Sequence, residues 1–473
     1  MTFLHEDFLL DTPHAQELYH NHAAGCPIID FHNHLDAAWI ASDHRFTNLT
    51  EAWLGHDHYK WRVMRAHGIS EDLITGAASD EDKFMAYARC VPHTVRNPIY
   101  HWTHLSLRRY FGINEVLNEV SAKPIYAEAN RQLALSTGST RGLLSKMMVQ
   151  VVCTTDDPAD DLSAHEQLRQ DPTLSVCPTF RPDRYLSISS ESFVESLQQL
   201  GQRVDREITD FGILAEVLVS RIGDFDELGC RASDHGLTRM PLGSFDRRTA
   251  EKAFVTALSG SVPESRQQEI YCYTLLQILC REYARRGWVQ QFHLGPIRNN
   301  NSRLRARLGS DAGTDSIGDY PQAESLSGFL DALDRDELLA KTILFNSNPA
   351  DNALFATMVA NFNDGSIPGK MQHGSGWWFL DQLDGMRDQL NTLSQMGMIS
   401  HFVGMVTDSR SVLSFPRHEY FRRLICQIFG RDVAAGLLPT DIPFLGSLIR
   451  DICYNNANRY FGFGLDDSPI LQP

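Results

Sequence analysis

Cys26-Pro27-Ile28-Ile29-Asp30-Phe31-His32-Asn33-His34-Leu35 reads as a short buried strand. An apolar run starts behind a proline and ends on two histidines. Side chains alternate faces along a strand, so His32 and His34, two residues apart, point the same way. Two imidazoles converging from one strand end can hold a divalent cation between them. The ordinary reading of an HxH pair is two solvated or hydrogen-bonded histidines. Here the pair closes an apolar strand and a matching carboxylate, Asp408, closes another far downstream, which favours the metal site. His56 and His58 form a rival pair. Tyr59-Lys60-Trp61-Arg62-Val63-Met64-Arg65 follows it with helical texture, and helical residues two apart face nearly opposite ways. That pair is excluded as a chelator, although either histidine could act singly.

Working outward, His14 to Ala24 reads as a lead-in helix before the first strand. Residues 36–145 have helical texture, with apolar residues at helical spacing over Glu81–Arg89 and Trp102–Phe111, and no convincing strand. From residue 147 the texture changes. Strand-like runs occupy Met147–Cys153, Leu174–Phe180, Gly229–Gly236, Trp288–Gly295, Thr342–Asn346, Lys370–Gly374 and His401–Asp408. Helical segments, for example Arg266–Arg286 and Glu337–Lys341, separate them. With the first strand this makes eight strand–helix units, the pattern of parallel strands joined by crossover helices. The expected fold is α/β, a (β/α)8 barrel of the TIM type with a helical insertion after the first strand. The expected organisation is 1–35 for the lead-in helix and first strand, 36–145 for the insertion, and 146–473 for the rest of the barrel. In such a barrel chemistry sits at the C-terminal ends of the strands. His32, His34, Asp156, Arg181, His235, His293, His373, Asp408 and Arg410 gather there.

The 473 residues are 42% hydrophobic, ample for a large core. A formal net charge of −16 argues against nucleic acid and anionic membranes as partners. An anionic substrate would therefore need a local cluster of arginines. Nine cysteines, odd in number and without a CxxC, read as reduced thiols of a cytoplasmic protein. No stretch reads as a secretory signal or a membrane span.

Asp408 ends the last expected strand, which a closed barrel lays beside the first, so His32, His34 and Asp408 form the candidate metal site. Histidine and carboxylate suit zinc first, with manganese or iron(II) also compatible. The plain alternative is that Asp408 caps the next helix. Arg410, two residues on, faces the same way as Asp408 if the chain stays extended, and its planar fork suits a carboxylate or enediolate. Arg181 is a second anion-binding candidate. His293 is either a further metal ligand or a substrate contact, and the Trp377-Trp378 pair, Trp378 above all, could wall a sugar pocket. His58 and Tyr59 lie where the insertion can fold over the barrel mouth, and Tyr59 could exchange a hydroxyl proton. No nucleophile elbow, Walker A sequence or dinucleotide fingerprint occurs in the right context.

The ordered set Glu6-Asp7-Phe8-Leu9-Leu10, Asp30-Phe31-His32-Asn33-His34-Leu35, Asp57-His58-Tyr59-Lys60-Trp61-Arg62, Cys153-Thr154-Thr155-Asp156-Asp157-Pro158, Pro178-Thr179-Phe180-Arg181-Pro182-Asp183, His293-Leu294-Gly295 with Arg298-Asn299-Asn300-Asn301, Gly376-Trp377-Trp378-Phe379 and Thr407-Asp408-Ser409-Arg410-Ser411 resembles the uronate (glucuronate) isomerases of the amidohydrolase superfamily. The resemblance spans nearly the whole chain. It implies a metal-assisted aldose–ketose isomerase that converts D-glucuronate to D-fructuronate and D-galacturonate to D-tagaturonate through an enediol, and a homo-oligomer. By motif, His32, His34 and Asp408 match metal ligands. His58, Tyr59, Arg181 and Arg410 match positions that contact substrate or move protons. Asp408 would be the base, with Arg410 or the metal stabilising the developing oxyanion. The alternatives are a metal-dependent hydrolase of an amide or lactone, and a sugar-acid-binding protein without turnover.

Overall fold

A computed structural model describes residues 3–468. Its ten strands are β1 Ile28–Asp30, β2 Val149–Cys153, β3 Ser175–Cys177, β4 Thr179–Phe180, β5 Ala232–Leu237, β6 Val289–Leu294, β7 Pro296–Ile297, β8 Ser316–Ile317, β9 Lys341–Asn346 and β10 Met371–His373. All pair in parallel except the short β7–β8 ribbon, which is antiparallel. The parallel strands run in two pieces, β1-β2-β3 and β10-β9-β6-β5-β4. One run expected at Leu174–Phe180 joins them. Pro178 has no N–H to give to a ladder; before it the run pairs with β2, and after it the run also takes up β5 while Asp156, beyond β2, stays bridged to Phe180.

The sheet is buried on both faces, as parallel sheets are. On its inner side Ile29, Phe31, Val151, Cys153, Cys177, Ala232, Val289, Ile343 and Phe345 pack together. Phe292, Leu294 and Leu344, on alternate positions, pack outward against the helices. The crossover helices include Phe193–Val204, Phe211–Glu227, Arg247–Leu258, Ser265–Arg285, Ala323–Asp334 and Leu383–Met396.

Two expectations need correction. Glu337–Lys341 is not helical. The helix there is Ala323–Asp334, Glu337 takes a left-handed φ of 58° that turns the chain, and Lys341 already begins β9. The eighth expected strand, His401–Asp408, is extended chain without a regular ladder. Gly404 and Asp408 have φ of 83° and 46°, outside the strand region. Side chains also take the polar groups of Thr407: its N–H faces the Asp30 carboxylate at 3.2 Å and its carbonyl accepts from Arg417 Nη1 at 2.7 Å. The segment still lies against the first strand's end, through Asp408 N–H to His32 O at 3.2 Å and His34 N–H to Ser409 O at 3.0 Å.

Between β1 and β2 lie seven α-helices, from Ala37–Ala41 to Thr140–Lys146. Local sequence marks their ends. Asn97 accepts from Ile99 N–H before Pro98, and Gly112, left-handed, ends that same helix at Phe111. These helices share one core with the barrel. Trp53, Phe84, Tyr87 and Tyr110 pack with Val149, Val152, Val176 and Phe415.

Candidate active site

A cavity of about 350 Å³ opens at the C-terminal ends of the strands. Its walls include His32, His34, His58, Asp156, Arg181, His293, Arg298, Asp311, Trp377, Trp378, Asp408 and Arg410. Of the residues singled out from the sequence for this mouth, all but Tyr59, His235 and His373 line it.

Beyond β1 the chain carries His32 and His34 to the mouth with rings 5.3 Å apart. The irregular segment after Phe402 brings Asp408 against them, with Oδ1 3.2 Å from His32 Nε2 and 3.0 Å from His34 Nε2. Those separations suit three donors around one ion, since ligand bonds of about 2.0–2.2 Å set tetrahedral donors roughly 3.3 Å apart. Asp408 Oδ2 accepts from Trp377 Nε1 at 2.9 Å. Burial alone would raise the pKa of Asp408; the two imidazoles hold it well below the usual carboxylate range. Burial lowers the pKa of His34 to about 4.

A second three-donor group shares His32: Asp234 on β5 and His293 on β6. His293 Nδ1 lies 2.6 Å from Asp234 Oδ1, leaving His293 Nε2 buried and unbonded toward His32, with the rings 4.5 Å apart. A histidine fixed by a carboxylate on one nitrogen and free on the other is the arrangement that presents a metal ligand. Asp234, fully buried, also faces Arg181 Nη1 at 3.0 Å. Burial would raise its pKa, but Arg181 and His293 keep it well below the usual range.

The strand-end histidines at 235 and 373 do not reach the cavity. His235 lies on the outer face, stacked on Phe292 at 5.1 Å, and His373 Nε2 bonds Asn346 Oδ1 at 2.9 Å. Asp234, one residue before His235, is the group that faces inward. Strand alternation could have found it had the strand's phase been set from the small inward residue Ala232.

Tyr59 does not line this cavity. Asp57 caps the helix His58–Ala66, accepting from the N–H groups of Tyr59 and Lys60 at 3.0 and 3.1 Å. That start points His58 into the cavity and carries Tyr59 behind it. The Tyr59 hydroxyl donates to Asp381 Oδ2 at 3.0 Å, beside Arg417. His58 stacks on Tyr59 at 5.0 Å and meets Trp378 edge-on at 5.8 Å. Burial and the nearby Arg410 lower its basicity, so it is neutral at pH 7.

The cavity's arginines differ in what they already hold. Arg181 Nε donates to Asp183 Oδ2 at 2.9 Å, Arg184 faces Asp157 at 3.5 Å, and Arg410 Nη2 donates to Asp311 Oδ2 at 3.2 Å. Arg298 and Asp311 come from the excursion between β7 and β8, which reaches over the mouth and is held by Arg62 Nη1 on the Asp315 carbonyl at 2.9 Å. Asp156, just beyond β2, accepts from Thr154 Oγ1 at 2.7 Å and Thr179 N–H at 3.1 Å, and burial pushes its pKa up to about 7.

An α/β barrel with paired histidines after its first strand and an aspartate from its eighth segment at the mouth has the architecture of the amidohydrolase class. The glucuronate isomerase family model (UxaC) matches residues 1–461, and the chain belongs to that family. It is 49% identical over 463 residues to the uronate isomerase of Flavobacterium johnsoniae, covering 98% of this chain and 99% of that protein. It is 47% identical over 468 residues to that of Opitutus terrae, covering 98% and 99%. The crystal structure of the Thermotoga maritima uronate isomerase superposes with a TM-score of 0.92 at 32% identity, over 98% of this chain and all of that one. That of the Caulobacter crescentus glucuronate isomerase gives 0.90 at 23% identity over 99% and 98%, a likeness of fold.

Proposed function

We propose that this cavity isomerises D-glucuronate to D-fructuronate and D-galacturonate to D-tagaturonate, through an enediol. Uronate isomerase activity, an aldose–ketose isomerisation, follows from the family match and from near-half identity along the whole chain. The observation that carries the reading to this site is the convergence of His32, His34 and Asp408 at one wall of a cavity with four arginines.

His32, His34 and Asp408 are the residues that would hold a divalent metal, zinc first, with manganese or iron(II) compatible; His293 shares only His32 with that set, in a second group with Asp234. A metal held there would supply a Lewis acid for a substrate oxygen. Asp408 is the proposed base, taking the C2 proton and returning it to C1. Its Oδ1 faces both imidazoles, so Oδ2, held by Trp377, is the oxygen left for the proton. Arg410 stabilises negative charge on the enediolate oxygen. His58, neutral and facing the cavity, serves the hydroxyl protons of ring opening, and Tyr59 supports it from behind by stacking. Trp378 walls the sugar. We further propose a cytoplasmic homo-oligomer; no helix among the described residues is long and apolar enough to cross a membrane.

Ketose formation from each uronate in D₂O, before and after chelation, tests the reaction, and solvent deuterium in the product marks proton transfer. For the base, Asp408→Asn should lower turnover at least a hundredfold and metal content with it. A variant that keeps both its metal and full turnover sinks that assignment.

A further inference from the structure

Arg417 is buried in the first turn of the helix Pro416–Ala434, behind the cavity, and holds groups from two sides of it. On one side its Nη1 donates to the Thr407 carbonyl at 2.7 Å. On the other its Nη2 donates to Asp381 Oδ2, the oxygen that also accepts from the Tyr59 hydroxyl at 3.0 Å. The Trp102 ring covers the guanidinium, whose carbon lies 4.3 Å from the ring centroid. A planar fork fixed in this way donates in two set directions.

The Thr407 carbonyl matters because of the residue it precedes. Asp408 has a φ of 46°, a left-handed conformation that is uncommon for a residue with a side chain and that its surroundings must hold. The peptide unit joining Thr407 to Asp408 is planar and turns as one piece, so turning it changes the φ of Asp408. Arg417 holds its carbonyl, and its N–H points at the His32 carbonyl at 3.2 Å. Those two bonds fix the plane, and the plane sets where the Asp408 carboxylate points, with Oδ1 3.2 and 3.0 Å from the two imidazoles. The ordinary reading of Arg417 is a buried ion pair with Asp381. Such pairs exchange for neutral residues at little cost in stability. A neutral residue at 417, however, leaves the Thr407 carbonyl without its donor.

We propose that Arg417 is a positioning residue for the reaction: by pinning the Thr407–Asp408 peptide it aims the Asp408 carboxylate, and by holding Asp381 and Tyr59 it ties that carboxylate to the wall that carries His58. This rests on the isomerase reading, in which Asp408 is the base. Arg417 does not line the cavity, so it acts only through the groups it holds.

The test compares wild type, Arg417→Met, Arg417→Met combined with Asp381→Asn, and Arg417→Lys. The double variant removes the ion pair as a pair and leaves Tyr59 an acceptor, so it isolates the lost bond to Thr407. Three quantities are read: the urea unfolding midpoint, kcat and KM for D-glucuronate with zinc in excess, and zinc retained in dialysis against a chelator. The double variant should unfold at more urea than Arg417→Met. Its kcat should nonetheless fall about 10- to 100-fold, as for a reacting group displaced by about 1 Å, with KM within about threefold. Its zinc retention should fall about tenfold or more, as when a ligand loses its support. Arg417→Lys keeps a cation for Asp381 without the fork, and its kcat should fall about tenfold. Wild-type kcat and zinc retention in the folded double variant, or activity that returns in step with stability, would make Arg417 structural and overturn the proposal. Should the double variant not fold, wild-type kcat in Arg417→Lys overturns it. If the wild type formed no ketose, the isomerase reading would fall, and zinc retention would still decide the role of Arg417.

Discussion

Asp156 offers a test in which sign and size both come from its surroundings. Its carboxyl is buried beside the cavity, accepting from Thr154 Oγ1 and Thr179 N–H on one oxygen, with His165 Nε2 3.7 Å from the other and Asp160 and Asp36 adding negative potential. Burial is the largest influence and raises its pKa from the ordinary 3.8 to about 7. A raised folded-state value means the stabilisation is fully present below pH 4 and is lost as pH climbs through 7. At about 1.4 kcal/mol per pH unit, the two-unit interval between pH 5 and pH 7 removes about 3 kcal/mol. Asparagine has the shape of the protonated acid, retains the acceptor, and does not titrate. The difference in unfolding free energy, Asp156→Asn minus wild type, should therefore grow by about 3 kcal/mol between pH 5 and pH 8. Urea unfolding of both proteins at the two pH values measures it, and the subtraction removes every other titrating group. A difference that stays flat with pH, or that falls, would refute the claim that this carboxyl is neutral in the native protein.

Three further substitutions probe neighbouring features. Arg417 is buried, paired with Asp381, donating to the Thr407 carbonyl and lying 4.3 Å from the Trp102 ring centroid. Arg417→Met should cost about 3–5 kcal/mol by stranding Asp381, and adding Asp381→Asn should recover part of that in urea titrations. Gly236→Ala meets only the ends of Arg181, Arg298 and Asp183. It should leave the unfolding midpoint nearly unchanged yet raise KM for glucuronate at least tenfold, a pairing that a general packing defect would not produce. Asp234→Asn removes the charge that fixes His293 and Arg181. It should lower metal retention about 10- to 100-fold, the usual range for a residue that orients a ligand, as measured by dialysis against a chelator.

What was legible in the sequence divides along physical lines. The strands at Val289–Leu294 and Lys341–Asn346 carry β-branched and aromatic residues, the first of them bounded by Gly287 and Gly295, so local pattern placed them. The eighth segment also carried an apolar pattern, but pattern records burial and not backbone hydrogen bonding. Asp30 and Arg417, distant in sequence, replace the ladder at Thr407. The same distinction governs the site. His32, His34 and Asp408 announce themselves because each ends an apolar run where the chain must emerge at the mouth. Arg298 and Asp311 ride an excursion whose path is set by Arg62 and Arg65 binding the carbonyls of Asp315 and Ala312. No local periodicity encodes such contacts. A residue type alone also cannot report whether its charge is already spent. Arg181 and Arg298 are alike as letters, and only the folded positions of Asp183 and Asp234 show that the first is held by two carboxylates.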